Sequence, residues 1–192
     1  MEKLTGLKKI KTSIFISGAG SNLKNLIKFS KKKKSPISID LVISNNKKAK
    51  GLRYADKFKI KNKIFRFENN KNEEKKILTY LRQKNIRFIC LAGFMKILSK
   101  NFIKKFQGKI INIHPSLLPK YKGLNTHKRA IINKDKFSGC TVHYVTPKLD
   151  SGKIIMQKTV KIATKDNSIS LAKKVLKKEH KLYPASIMKI FT

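Results

Sequence analysis

Apolar and polar positions follow one another along this chain in blocks whose period changes repeatedly. Ile14 to Ser17 form a short β-branched and aromatic run. The glycine turn GAGSN follows, then LKNLIKFS, where Leu23, Leu26 and Ile27 recur at helical spacing. The pattern predicts strand, turn, helix. A second strand is expected over 37–44 (ISIDLVIS), a helix over 47–58 despite Gly51, and a third strand over 63–67 (KIFRF). Residues 68–85 open as a polar loop and continue as a helix with Ile77, Leu78 and Leu81 inward. The apolar run 86–94 (IRFICLAGF) reads as a strand covered on both faces, as in a parallel sheet. A helix over 99–108 leads into the strand 109–114, KIINIH. This alternation over the first 115 residues predicts an α/β fold: an open, mostly parallel, Rossmann-like sheet with helices on both faces.

Beyond residue 135 the rhythm changes. Strands over 139–146 and 153–162 are joined by the turn-rich link PKLDSG, which predicts an antiparallel pair added to the sheet. The segment 167–191 reads as a long basic amphipathic helix interrupted near Pro184.

Composition narrows the class. At 192 residues and 40% apolar content the chain suits one buried domain. No apolar run approaches bilayer-spanning length, and the basic N-terminus lacks the apolar core of a signal peptide, so a soluble cytoplasmic protein is expected. Cys90 and Cys140 lie in apolar strands, which fits buried thiols in a reducing compartment. The charge is extreme, 47 Lys+Arg against 10 Asp+Glu, a formal +37. Such a field attracts polyanions. Yet only Arg53, Arg66, Arg82, Arg87 and Arg129 are arginines, and the lysines are spread through nearly every segment rather than gathered on one face. Lysine, asparagine and isoleucine all have A/T-rich codons, so codon drift would give this charge without any functional demand, with capture of anionic small molecules as a by-product. No specific nucleic-acid partner and no membrane partner is expected.

Three places can carry chemistry. The SGAGSN turn opens a helix, where bare N–H groups suit an anion, but it lacks the third glycine of a dinucleotide fingerprint and the lysine of a Walker loop. A small phosphate at Gly20, Ser21 and Asn22 is one reading; a plain helix-capping turn is the other. In KIINIHPSLLPKYKG, Asn112 and His114 share one face at the end of the fifth strand, where such sheets place ligands. An amide and an imidazole there suit a carbonyl that develops negative charge. Of the few carboxylates, Asp150 in the PKLDSG link is the candidate to orient and charge His114, although Asp-Ser-Gly is also a turn former. His143 alternates within its strand and faces either the core or the site. The four histidines show no HExxH or CxxC spacing, so no metal is expected, and Ser116 lacks a nucleophile elbow.

Taken in order, ISGAGSNL, LAGFMKIL, INIHPSLLPKYKG, GCTVHYV and LDSGKII closely resemble the phosphoribosylglycinamide formyltransferases, a folate-dependent formyltransferase family. The resemblance runs from about residue 12 to 187. It implies a single domain of the formyltransferase fold over 1–192, with a nucleotide-substrate half over about 12–115 and a folate-side half with the C-terminal helix over about 116–192. It also implies formyl transfer from 10-formyltetrahydrofolate, a cosubstrate, to the amine of glycinamide ribonucleotide in purine synthesis. No tightly bound cofactor or metal follows from it. Small molecules are the expected partners, for a monomer or homodimer. By motif match, Gly20, Ser21, Asn22 and Glu179 would hold the ribonucleotide, and Asn112, His114 and Asp150 would be catalytic. In that group His114 would be the general acid and Asp150 would raise its pKa. Met95, Lys96, Ile97, Leu98, Asn112, Thr146, Pro147, Lys148, Leu149 and Asp150 would line the folate site. The chain departs from the pattern where bacterial relatives carry a folate-contacting arginine: Asn70 stands near that place, with Lys71 beside it. Lys122 replaces a common proline, and Asn125 stands where some members have histidine. A formyltetrahydrofolate hydrolase shares the same trio but carries an N-terminal regulatory domain, for which there is no room before Ser13. Methionyl-tRNA formyltransferase adds a C-terminal tRNA-binding domain. A lysine-rich nucleic-acid binder would leave the trio unexplained.

Overall fold

The computed structural model describes residues 9–67 and 71–191, without the side chain of Lys71. The expected folate-contact position at Asn70, and the Lys71 side chain beside it, lie outside the described residues. The elements run β1 (Ile10–Ile16), α1 (Ser21–Ser30), β2 (Ile37–Ser44), α2 (Leu52–Lys57), β3 (Lys61–Ile64), α3 (Lys71–Gln83), β4 (Phe88–Leu91), α4 (Lys100–Lys105), β5 (Lys109–His114), α5 (Thr126–Ile132), β6 (Phe137–Tyr144), β7 (Ile154–Lys161) and α6 (Ser168–Phe191). They build a seven-stranded, mostly parallel sheet in the order β3-β2-β1-β4-β5-β6-β7, flanked by helices and ending in an antiparallel pair. The chain divides into two compact units. One runs through Lys96 and adds Lys105–Lys109 and Phe191; the other comprises Ile97–Lys104 and Ile110–Ile190.

In the first unit β1 lies between β2 and β4, parallel to both. Its Ile14, Phe15 and Ile16 are fully buried, as are Leu23, Leu26 and Ile27 of α1. The β-branched run therefore becomes the central strand, and the helical triplet becomes the face that covers it. Tight hydrogen bonds join the turns at the ends of these strands. Ser17 accepts the Met95 N–H on its hydroxyl at 2.8 Å and gives its own N–H to the Gly93 carbonyl at 3.1 Å. Gly51 N–H reaches the Gly18 carbonyl at 2.9 Å. The third strand occupies 61–64 rather than 63–67, and all four of its residues are exposed. It is an edge strand, paired only with β2, and needs no apolar face. The aromatic residues that marked it pack past its end: Phe65 near Tyr80, and Phe67 edge-on to Phe15 and Phe94.

In the second unit β5 and β6 are antiparallel, with Asn112 opposite His143 and His114 opposite Thr141. β6 pairs antiparallel with β7. Thr141 anchors the loop that leaves β5. Its hydroxyl donates to the Ser116 carbonyl at 2.6 Å and accepts from Leu118 N–H at 3.1 Å and Gln157 Nε2 at 2.9 Å. The interruption expected near Pro184 is absent: α6 is one helix from Ser168 to Phe191 with the proline inside it. Proline does cost a helix about 3 kcal/mol or more. Here the flanking turns are held by burial, with Leu182, Tyr183, Ser186 and Ile187 all at 0% exposure. Packing outweighs the local preference.

Candidate active site

The site begins with the two-residue period of β5. Asn112 and His114 project from one face, and His114 is 5% exposed. The chain then turns at the Thr141-anchored loop and returns through Tyr121 to Gly123. Asp150 sits in the β6–β7 link with φ +43°, a left-handed conformation that aspartate tolerates better than most residues. Its Oδ2 accepts the Gly123 N–H at 2.8 Å and lies 3.4 Å from His114 Nδ1. Its Oδ1 is 3.6 Å from His143 Nε2. Asn112 Nδ2 lies 3.3 Å from that same Nε2. Asn112, His114, His143 and Asp150 thus form one cluster within the second unit.

Hydrogen bonding assigns the His114 ring. Nε2 is 2.8 Å from the Tyr121 carbonyl, which only accepts, so Nε2 carries hydrogen. A second proton, on Nδ1, would face the Asp150 carboxylate. Burial opposes it and is the largest influence: it holds the His114 pKa below the ordinary 6.5, although the Tyr121 carbonyl and Asp150 both push upward. The upward push expected of Asp150 is present, and burial outweighs it. The spacing agrees, since 3.4 Å is longer than the roughly 2.7–2.9 Å of a charge-assisted bond. The resting ring is neutral and faces a carboxylate ready to receive its charge. For Asp150 itself burial pushes upward, but the His143 ring, the Gly123 N–H and the positive influence of His114 outweigh it. The carboxyl stays below the ordinary range and is ionised at neutral pH.

A model of the formyl transferase family matches residues 10–187. The chain belongs to this family. The phosphoribosylglycinamide formyltransferase of Haemophilus influenzae is 40% identical over 185 residues, covering 95% of this chain and 87% of that protein. The human trifunctional purine biosynthetic protein adenosine-3 is 40% identical over 183 residues, 94% of this chain. The chain spans only 18% of that trifunctional relative's length. Among solved structures, phosphoribosylglycinamide formyltransferase from Brucella melitensis superimposes with a TM-score of 0.90 at 41% identity, covering 95% of this chain and 96% of that one.

The remaining expected positions of this formyl transferase are distributed as follows. Gly20, with φ +73°, is the N-cap of α1, and no side chain caps that helix end. Asn22 is buried and Ser21 half-buried. Met95 and Ile97 are exposed, Lys96 likewise, while Leu98 is buried. In the link before Asp150, Pro147, Lys148 and Leu149 are exposed and Thr146 is half-buried, its hydroxyl donating to the Lys148 carbonyl at 3.1 Å. Glu179 is 8% exposed on α6, and its charge adds to burial in pushing the Cys140 thiol up to about 12. Cys90 and Cys140 are both buried thiols outside any disulfide. Asn125 adopts φ +58° as the N-cap of α5, and the Lys122 carbonyl accepts from Arg129 at 2.7 Å. His143 is the site residue that sequence reasoning left open. Its signal was the register of β5 against β6, which strand alternation alone does not set. Among the described residues no group of three His, Cys, Asp or Glu side chains could hold a metal ion.

Proposed function

We propose that this formyl transferase moves the formyl group of 10-formyltetrahydrofolate to the primary amine of glycinamide ribonucleotide, a step of purine synthesis. The observation that carries the reading is the grouping of Asn112 and His114 on one strand face with Asp150 3.4 Å from the imidazole. The amine lone pair forms a bond to the formyl carbon, and the carbonyl oxygen takes up negative charge. Asn112 donates an N–H to that oxygen. His114 reaches it by giving up the Tyr121 carbonyl. As the tetrahedral species collapses, the bond from carbon to the folate nitrogen breaks. From its charged form, held by Asp150 at Nδ1, His114 gives its Nε2 proton to that nitrogen, and Nε2 then takes up the proton released by the amine. Gly20, Ser21 and Asn22 hold the ribonucleotide phosphate at a helix end free of a side-chain cap, and Glu179 contacts the ribonucleotide. Met95, Ile97 and Leu149, exposed apolar side chains, supply surface for the flat folate ring, with Lys96, Leu98, Thr146, Pro147 and Lys148 around it. The reaction requires no metal. We place it in the cytoplasm, in keeping with two buried thiols outside any disulfide.

The test is direct. Purified protein given both substrates should form formylglycinamide ribonucleotide and tetrahydrofolate, and His114→Ala should abolish nearly all turnover while the fold survives. An inactive wild type, or release of free formate in place of amine formylation, would overturn the assignment.

A further inference from the structure

His143 is 2% exposed and touches two members of the catalytic trio. Its Nδ1 lies 2.9 Å from the Tyr144 carbonyl. A carbonyl only accepts, so Nδ1 carries hydrogen, and in the neutral ring Nε2 is then a bare acceptor. Two groups compete for Nε2: Asn112 Nδ2 at 3.3 Å and Asp150 Oδ1 at 3.6 Å. They demand opposite states. The amide donates and needs a bare nitrogen; the carboxylate accepts and needs a protonated one. The neutral ring satisfies the nearer partner. Asp150 Oδ1, at 3.6 Å, lies beyond the roughly 2.7–3.2 Å of a hydrogen bond from that nitrogen, and Oδ2 already accepts the Gly123 N–H at 2.8 Å. The register makes the contact unavoidable, because Asn112 and His143 are direct cross-strand partners with side chains on one face.

We propose that His143 is a positioning residue for formyl transfer. Its Nδ1–H tautomer, set by the Tyr144 carbonyl, makes Nε2 the acceptor that fixes which way the Asn112 amide points. One Nδ2 hydrogen is held by the ring, and the other remains to donate to the developing oxyanion. Without that acceptor the amide can rotate by half a turn and present its oxygen where a donor is required, which repels the transition state. The kinetic part of this inference rests on the function proposed above; the tautomer and the amide orientation do not.

Two measurements test it. Ring nitrogen NMR of 15N-histidine-labelled protein should show His143 protonated on Nδ1 and bare on Nε2 near neutral pH. Kinetics of His143→Ala, His143→Gln, Asn112→Ala and the Asn112→Ala/His143→Ala double variant supply the second. Loss of an oxyanion donor at Asn112 is expected to lower kcat by about 100–1000-fold. His143→Ala should lower it by at least about tenfold, with KM for both substrates changed by less than about twofold. His143→Gln, which returns an acceptor near the Nε2 position, should recover most of the loss. The double variant should be no slower than Asn112→Ala alone, because the ring acts through the amide. An Nε2–H tautomer would overturn the inference. So would His143→Ala with unchanged kcat, or an equal slowing by His143→Ala in both backgrounds. If His143→Ala does not fold, failure of His143→Gln to retain more than about a tenth of wild-type kcat overturns it as well. If the wild type does not formylate glycinamide ribonucleotide, the functional reading falls, and the tautomer measurement still decides the positioning claim.

Discussion

Replacing Asp150 by asparagine removes one charge and little else. Asparagine has nearly the same volume and tolerates the left-handed conformation at φ +43°. Its side-chain oxygen can still accept the Gly123 N–H now bonded at 2.8 Å. The loss falls on His114, whose Nδ1 sits 3.4 Å from Oδ2. An opposite charge at this range favours the charged ring, so its removal should lower the His114 pKa further. The ring already lies below 6.5 because burial is its largest influence, and the variant has only the Tyr121 carbonyl left to oppose it. Each lost unit makes the charged ring about tenfold scarcer at a pH above its pKa. If transfer passes through charged His114, kcat near neutral pH should fall by at least about tenfold, and less at lower pH. The assay pairs a histidine NMR titration with the pH profile of formyl transfer, in wild type and Asp150→Asn. Thermal unfolding checks that the variant remains folded. An unmoved His114 pKa, or a variant with full turnover across the profile, would refute the electrostatic coupling.

Thr141→Val keeps shape but leaves the buried Ser116 carbonyl and Leu118 N–H without the hydroxyl they share, at about 1–3 kcal/mol each. Chemical denaturation should show that loss, Thr141→Ser should restore most of it, and an unchanged midpoint would refute the anchoring role. Gly20→Ala would place a Cβ 2.5 Å from Gly51 Cα at φ +73°, so a drop of several degrees in Tm is expected from strain of about 1–3 kcal/mol, and an unaltered Tm would contradict the close approach. Acid should destabilise the protein in two stages. His114, His127 and His180 are held below 6.5 by burial, so the unfolded chain binds more protons there, and stability that is complete above 6.5 is lost as pH falls below it. A second loss should follow below 3.8 as Asp150, Asp135 and Asp166 protonate, the last held at about 2 chiefly by Lys174. A denaturation midpoint that rises on acidification to about pH 5 would refute that sign.

Elements with strong period and burial were legible in the sequence. β2 occupies the expected 37–44 and β5 the expected 109–114, because a central strand needs the apolar run that reveals it. The edge strand β3 was displaced, because its residues answer to β2's backbone and not to a buried face. Pro184 misled because the helix around it is held by tertiary burial, which local preference does not record. At the site, residue type and strand position were enough to single out Asn112, His114 and Asp150 as candidates. The part His143 plays depends on cross-strand register, and the net direction of the His114 pKa depends on how much water the fold removes. Neither quantity is written in residue spacing.

The contact between Gly20 and Gly51 is mutual. A Cβ on the first would meet the second's Cα at 2.5 Å, and a Cβ on the second would meet the first's Cα at 2.9 Å and Ile16 Cδ1 at 2.8 Å. A side chain at either position must displace the other turn, so a substitution at one is felt in the backbone of both. The two turns therefore constrain each other's sequence: what one can carry is decided by the backbone of the other.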